Sequence, residues 1–243
     1  MRSILAGLVL FASFSTAAAE PIHLGRSPDL SPDGKWVAFS YLGDVWIVSS
    51  AGGTARPVTM HERHDTTPVF SPDGKSLAFA SNRHGNYDVF VVPFEGGRPT
   101  RLTHDSADDF PTGWSHDGKE LLFASTRDFD FPPRTELYAV DATGGEARHV
   151  SLHEAREGAW SPDGKALAYT RGPGTWYRKN YRGSSNDDIW LCDPDGMHSR
   201  QITTHLGNDN APMWAPDGRF LYYVSDRFGV PNIVRQKIAD DLS

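Results

Sequence analysis

The sequence predicts an all-β fold, a β-propeller of four-stranded antiparallel blades with five repeats present. The main observation is one short phrase that recurs five times. Its copies are Ser31-Pro32-Asp33-Gly34, Ser71-Pro72-Asp73-Gly74, Ser115-His116-Asp117-Gly118, Ser161-Pro162-Asp163-Gly164 and Ala215-Pro216-Asp217-Gly218. They start 40, 44, 46 and 54 residues apart, a period at which one structural unit is copied in tandem. Gly and Pro also punctuate each period about every eight to twelve residues, which excludes helical units of similar length. The runs between them are short and rich in aromatic and β-branched residues, as strands require.

The second copy shows each element in order. Thr67-Pro68-Val69-Phe70 reads as a first strand that ends at the turn Ser71-Pro72-Asp73-Gly74-Lys75. There Pro presets φ, Asp caps the turn and Gly accepts a positive φ. Ser76 to Ser81 is a second strand, and Asn82-Arg83-His84-Gly85-Asn86 turns it. Tyr87 to Val92 is a third strand, Glu95-Gly96-Gly97-Arg98 a hairpin, and Pro99 to Thr103 a fourth strand. Blades are expected near 21–60, 61–103, 104–151, 152–204 and 205–243, the last incomplete. Leu30, Phe70, Trp114, Trp160 and Trp214 precede the five turns, and their bulk is expected to pack between neighbouring blades.

Residues 1–19 have the layout of a secretory signal peptide: Arg2, an apolar run from Ile4 to Phe14, and Ala17-Ala18-Ala19 before Glu20. The expected location is therefore outside the cytoplasm, periplasmic or secreted. Removing Arg2 leaves 23 basic against 31 acidic residues. An acidic surface disfavours phosphate backbones, so nucleic acid is not an expected partner. The single cysteine, Cys192, cannot form an internal disulfide and reads as a small buried apolar residue.

The phrases Ser-Pro-Asp-Gly-Lys, Asp44-Val45-Trp46-Ile47-Val48 and Ser81-Asn82-Arg83-His84-Gly85 resemble the repeats of TolB-type propellers and of the tricorn protease family. The resemblance covers about residues 21 to 243. Trp176 to Gly183, followed by Asp187-Asp188-Ile189-Trp190, is similar to the Tyr-Arg-Gly-Gly…Asp-Ile-Trp pattern of tricorn-type N-terminal propellers, with Ser184 in place of the second Gly. The resemblance implies a six-bladed ring, a second propeller, a PDZ domain and a serine protease module. On that reading these residues are a fragment. The alternative is a ring of five blades closed by a strand from residues 21–26. The implied function is a non-catalytic propeller that gates and guides peptides for an exported serine peptidase. The alternative function is a TolB-like module that binds proteins of the bacterial envelope.

The second-to-third loops and the loops between blades share one face, where binding residues are usually presented. The Asp-Gly and Gly-Gly turns share the other. The longest loop, Gly172 to Asp187, holds Arg178, Lys179 and Arg182 beside Tyr181. Cations with aromatic rings can hold a carboxylate and an apolar chain together, so these residues are candidates for orienting a peptide's C-terminus. Asp65, Asp109 and Asp209 stand six residues before three of the turns, with His64 beside the first. They are candidates for an acidic ring at the channel mouth; the other reading is that they hydrogen-bond loop backbone. No nucleophile elbow, phosphate loop, Cys-x-x-Cys pair or zinc spacing is present, so neither a catalytic residue nor a cofactor or metal is expected.

Overall fold

In the computed structural model, the structure describes residues 21–128, 134–150, 154–172, 183 and 186–238. They form five antiparallel sheets arranged as the blades of a propeller. Blade one runs Arg26–Leu30, Trp36–Tyr41, Asp44–Ser49 and Arg56–Pro57. Blade two runs Asp65–Phe70, Ser76–Ser81, Asp88–Pro93 and Thr100–Arg101. Blade three runs Asp109–Trp114, Glu120–Ser125, Glu136–Asp141 and Arg148–His149. Blade four runs Arg156–Trp160, Leu167–Arg171, Asp188–Cys192 and Arg200–Gln201. Blade five has three strands among the described residues: Asp209–Trp214, Phe220–Ser225 and Asn232–Lys237.

The recurrent turn is a small hydrogen-bonded machine. The Ser31 hydroxyl donates to Asp33 at 2.7 Å, the Lys35 N–H donates to the same carboxylate at 3.1 Å, and the Trp36 N–H donates to the Ser31 oxygen at 2.9 Å. The Ser31 bond, then the Lys35 amide, holds the Asp33 carboxyl down at about 2. Gly34 sits at φ 71°, where a side chain would be strained. Ser71, Ser115 and Ser161 repeat the pattern with their own aspartates. In the fifth copy Ala215 lacks the hydroxyl, and Asp217 instead accepts from the Arg219 N–H and side chain.

The core lies between blades. Each of the four hydrophobic clusters joins two neighbouring blades, as with Ala38, Val45 and Ile47 of blade one against Leu77, Phe79 and Phe90 of blade two. Burial of these faces is the main stabilising term. From blade two onward, each first strand packs against the first three strands of the preceding blade. The large residue before each turn makes this contact. Trp114 donates its indole N–H to the Val69 carbonyl at 3.2 Å, and Trp214 donates to Ala159 at 3.0 Å. Among the described residues no earlier blade packs against Leu30, which is 56% exposed. Cys192 is buried between blades three and four, and burial pushes its thiol up to about 12, where it is unreactive.

Candidate functional site

The five first strands converge on a central cavity of about 680 Å³. Its wall includes Pro28 and Asp29, Thr67 to Val69, Phe110 to Thr112, Arg156 to Ala159, and Ala211 to Met213. A β-bulge interrupts each first strand as it passes the cavity. In four blades the residue four places before the turn takes a left-handed φ: Ser27 at 48°, Thr67 at 53°, Glu157 at 52° and Ala211 at 53°. In blade three that residue is Pro111, whose ring forbids a positive φ. The bulge also joins blades. The Thr67 N–H donates to the Ser40 hydroxyl at 3.1 Å, and the Ala211 N–H donates to Thr170 at 3.1 Å and to Glu157 at 2.9 Å. Where Pro111 has no N–H to give, blade two carries Ala80 in the place of the acceptor hydroxyl.

Asp29 is the one first-strand carboxylate that desolvation sets apart. It accepts the Phe70 N–H of the next blade at 2.7 Å, and burial at the cavity wall raises its carboxyl to about 6.

Asp65, Asp109 and Asp209 lie elsewhere than on an open rim. All three are 0% exposed. Each pairs within its own blade to an arginine from the second-to-third loop: Arg83 at 2.9 Å, Arg127 at 2.6 Å and Arg227 at 3.1 Å. Ser81, Ser125 and Ser225 accept from the same arginines, whose planes lie over Phe90, Phe123 and Tyr223. His64 is exposed and shares a 2.9 Å hydrogen bond with the Tyr87 hydroxyl. The four residues are therefore not brought together in one cluster. Among the described residues no group of three His, Cys, Asp or Glu side chains is placed to hold a metal ion.

Arg178, Lys179, Tyr181 and Arg182 lie outside the described residues. Arg171 covers the Trp190 ring at 4.6 Å, and Asp187 pairs with Arg156. Asn186 donates to the Gly207 and His205 carbonyls of the following inter-blade loop. Asn86 makes the same clamp in blade two, on Ala107 and Asp105.

Sequence reasoning missed these clamps and the arginine partners of the three acids. The signal was present: the arginine follows its aspartate by 18 residues in all three blades.

Large apolar side chains stand exposed in the loops of one face: Leu24, Leu42, Met60, Leu206, Phe228 and Val230. Leu42 and Gly43, at φ 51° and 91°, form the tip of a tight hairpin. Asn-Gly is the usual pair in such a tip, so an exposed Leu in left-handed conformation departs from ordinary turn chemistry.

Residues 22–241 match the tricorn protease N-terminal beta propeller domain. Tricorn protease homolog 1 of Streptomyces coelicolor is 32% identical over 215 residues, 88% of this chain and 20% of that protein. An uncharacterized peptidase of Bacillus subtilis, YuxL, is 27% identical over 81% of this chain and 28% of its own length. The chain thus spans less than a third of these curated relatives. The crystal structure of TolB from Acinetobacter baumannii shares the fold, with a TM-score of 0.71 at 22% identity over 88% of this chain and 51% of that one.

Proposed function

Since this chain belongs to the tricorn protease N-terminal β-propeller family, we propose that it is a non-catalytic, polypeptide-binding propeller that serves an exported peptidase. The observation that carries this reading is the contrast between its faces. One ends in Asp-Gly and Gly-Gly turns, with Met197 exposed in the hairpin of blade four, and the other displays Leu24, Leu42, Met60, Leu206, Phe228 and Val230. Exposed apolar side chains grouped on one face mark a contact surface for polypeptide. The leader at residues 1–19 supports export. Arg178, Lys179, Tyr181 and Arg182 stand in the sequence between the second and third strands of blade four, and the task proposed for them is to orient a peptide's C-terminal carboxylate.

The test is titration of the chain with labelled unstructured peptides, read by fluorescence anisotropy. Leu42→Asp with Phe228→Asp is expected to weaken binding about tenfold or more. Arg178→Glu with Arg182→Glu is expected to abolish the preference for a free C-terminal carboxylate over an amide. Equal affinity in the parent and both variants would reject this function.

A second reading is a docking surface for a folded envelope protein, as in a TolB-like module. The Leu42-Gly43 tip favours it, because a two-residue hairpin presents a preformed apolar knob. Capture of a folded partner by a chain that binds no extended peptide would select this reading over the first.

A further inference from the structure

We infer that the groove between blades two and three, on the face of the Asp-Gly turns, is a binding site for an aromatic side chain with a neighbouring arginine, presented by another polypeptide. The inference rests on a comparison of two blade interfaces and is independent of the loop-face reading.

Three large side chains close the interface between blades one and two. Trp36 follows the first turn, and its ring meets Phe94 edge-on at 5.4 Å. Phe94 also leans on Phe70 at 6.1 Å. Arg56 lies over the Phe94 ring at 5.1 Å and donates to the Phe94 carbonyl at 3.1 Å. An indole, a phenyl ring and a guanidinium thus cover the cluster that joins these two blades.

The same three positions carry small residues at the next interface. Ser76 follows its turn as Trp36 does. Ala142 donates its N–H to the Lys119 carbonyl, as Phe94 does to that of Lys75. Thr100 pairs with Val91 as Arg56 pairs with Ile47. The result is a groove of about 450 Å³, with Val91 and Trp114 as its apolar lining. That volume suits a small ligand or a pair of side chains. Later blades fill these positions in other ways. Glu120 holds Arg148 at 2.7 Å, and Ile238, at the register of Phe94 and Ala142, is buried between blades four and five.

The lining selects the occupant. Trp114 offers an incoming ring the kind of aromatic contact that Phe70 gives Phe94. Asp73 and Asp117 also line the groove. The Ser71 hydroxyl, then the Lys75 amide, holds the Asp73 carboxyl below the ordinary range, and Lys119, then the Ser115 hydroxyl, holds Asp117 at about 2. Both carboxylates are therefore ionised. Their lysines, Lys75 and Lys119, are exposed, and such pairs are weak. A guanidinium from outside competes well for them, because it can bind a carboxylate through two parallel bonds. Placed beside the bound ring, it repeats the arrangement of Arg56 over Phe94.

The experiment titrates the full chain with the peptide acetyl-Gly-Phe-Arg-Gly-amide and reads NMR shifts of the Trp114 indole and the His116 ring, which also lines the groove. Saturable shifts are expected at these two residues and not at Trp36. Replacing the peptide's Phe by Ala should abolish them, and replacing its Arg by Glu should weaken binding about tenfold. In the protein, Ser76→Trp with Ala142→Phe gives the groove the rings of the first interface and should abolish binding. The converse pair, Trp36→Ser with Phe94→Ala, should open a second site, seen as new saturable shifts at Phe70; this keeps the test decisive where the filled variant does not fold. The inference is overturned by the absence of saturable shifts at Trp114, by equal binding of the Arg and Glu peptides, by shifts that persist in the folded Ser76→Trp, Ala142→Phe variant, or by the absence of a second site in the opened one.

Discussion

Blades three and four carry the same kind of buried ion pair, wired in opposite directions. In blade three the first strand supplies the carboxylate, Asp109, and the second-to-third loop supplies Arg127. In blade four the first strand supplies Arg156 and the loop side supplies Asp187. Arg156 stands one residue nearer its turn than Asp109, and blade one carries Gly25 and Gly43 where blade three has Asp109 and Arg127. What persists is a cross-link between the channel strand and the base of the loop, not a particular charge on the channel side. The reversal falls in the blade whose loop is longest, where Asp187 closes the segment that contains Arg178 and Arg182. The pairing carboxylate of blade four thus stands at the C-terminal end of the long insertion in the sequence.

Cutting one blade's pair should have the largest effect. Asp109→Ala strands the Arg127 guanidinium in a site that is only 14% exposed, and the expected loss is about 3–5 kcal/mol in urea unfolding. Arg156→Ala should cost a comparable amount if the two wirings are equivalent. A loss below about 1 kcal/mol would show that blade four's pair is dispensable and break the comparison.

The next effect concerns a first-strand carboxylate with no arginine. Asp29 titrates near 6 in the fold against an ordinary value of 3.8. The fold therefore favours its protonated form. That stabilisation is complete below about pH 4, falls as pH rises through 6, and is gone above it. Asp29→Asn keeps an acceptor for the Phe70 N–H and removes the charge. It should stabilise the protein by up to about 3 kcal/mol at pH 8 and by almost nothing at pH 4, as measured by denaturation at both.

Smaller effects separate inter-blade stitches from loop chemistry. Trp114→Phe keeps the ring but leaves the Val69 carbonyl without its indole donor, for an expected loss of about 1 kcal/mol. Leu42→Asn should raise stability by up to about 1 kcal/mol in thermal unfolding, because Asn tolerates the left-handed conformation better. The same change should weaken peptide binding. A gain in stability with binding unchanged would remove Leu42 from the contact surface.

Much of this fold is legible in the chain because a propeller repeats its local chemistry. The Pro-Asp-Gly turns, the Gly-Gly hairpins and the strand runs each obey short-range rules, so five copies reinforce one reading. The candidate site was less legible. Asp65, Asp109 and Asp209 were visible as a set, but their burial was not, because each depends on an arginine 18 residues away that closes over an aromatic ring. The left-handed bulges were invisible too. Ser27, Thr67, Glu157 and Ala211 share no residue type and are held in place by neighbouring blades.

The sequence by itself determined the number of repeats in these residues, the order of strands within each blade and which loops are long, because these follow from turn chemistry and periodicity within about 45 residues. Only the tertiary structure decided which acids are buried, which blade reverses its ion pair and how the bulges line the channel. Each of those depends on surfaces that meet across blades, and burial against a neighbour is not encoded in any one repeat.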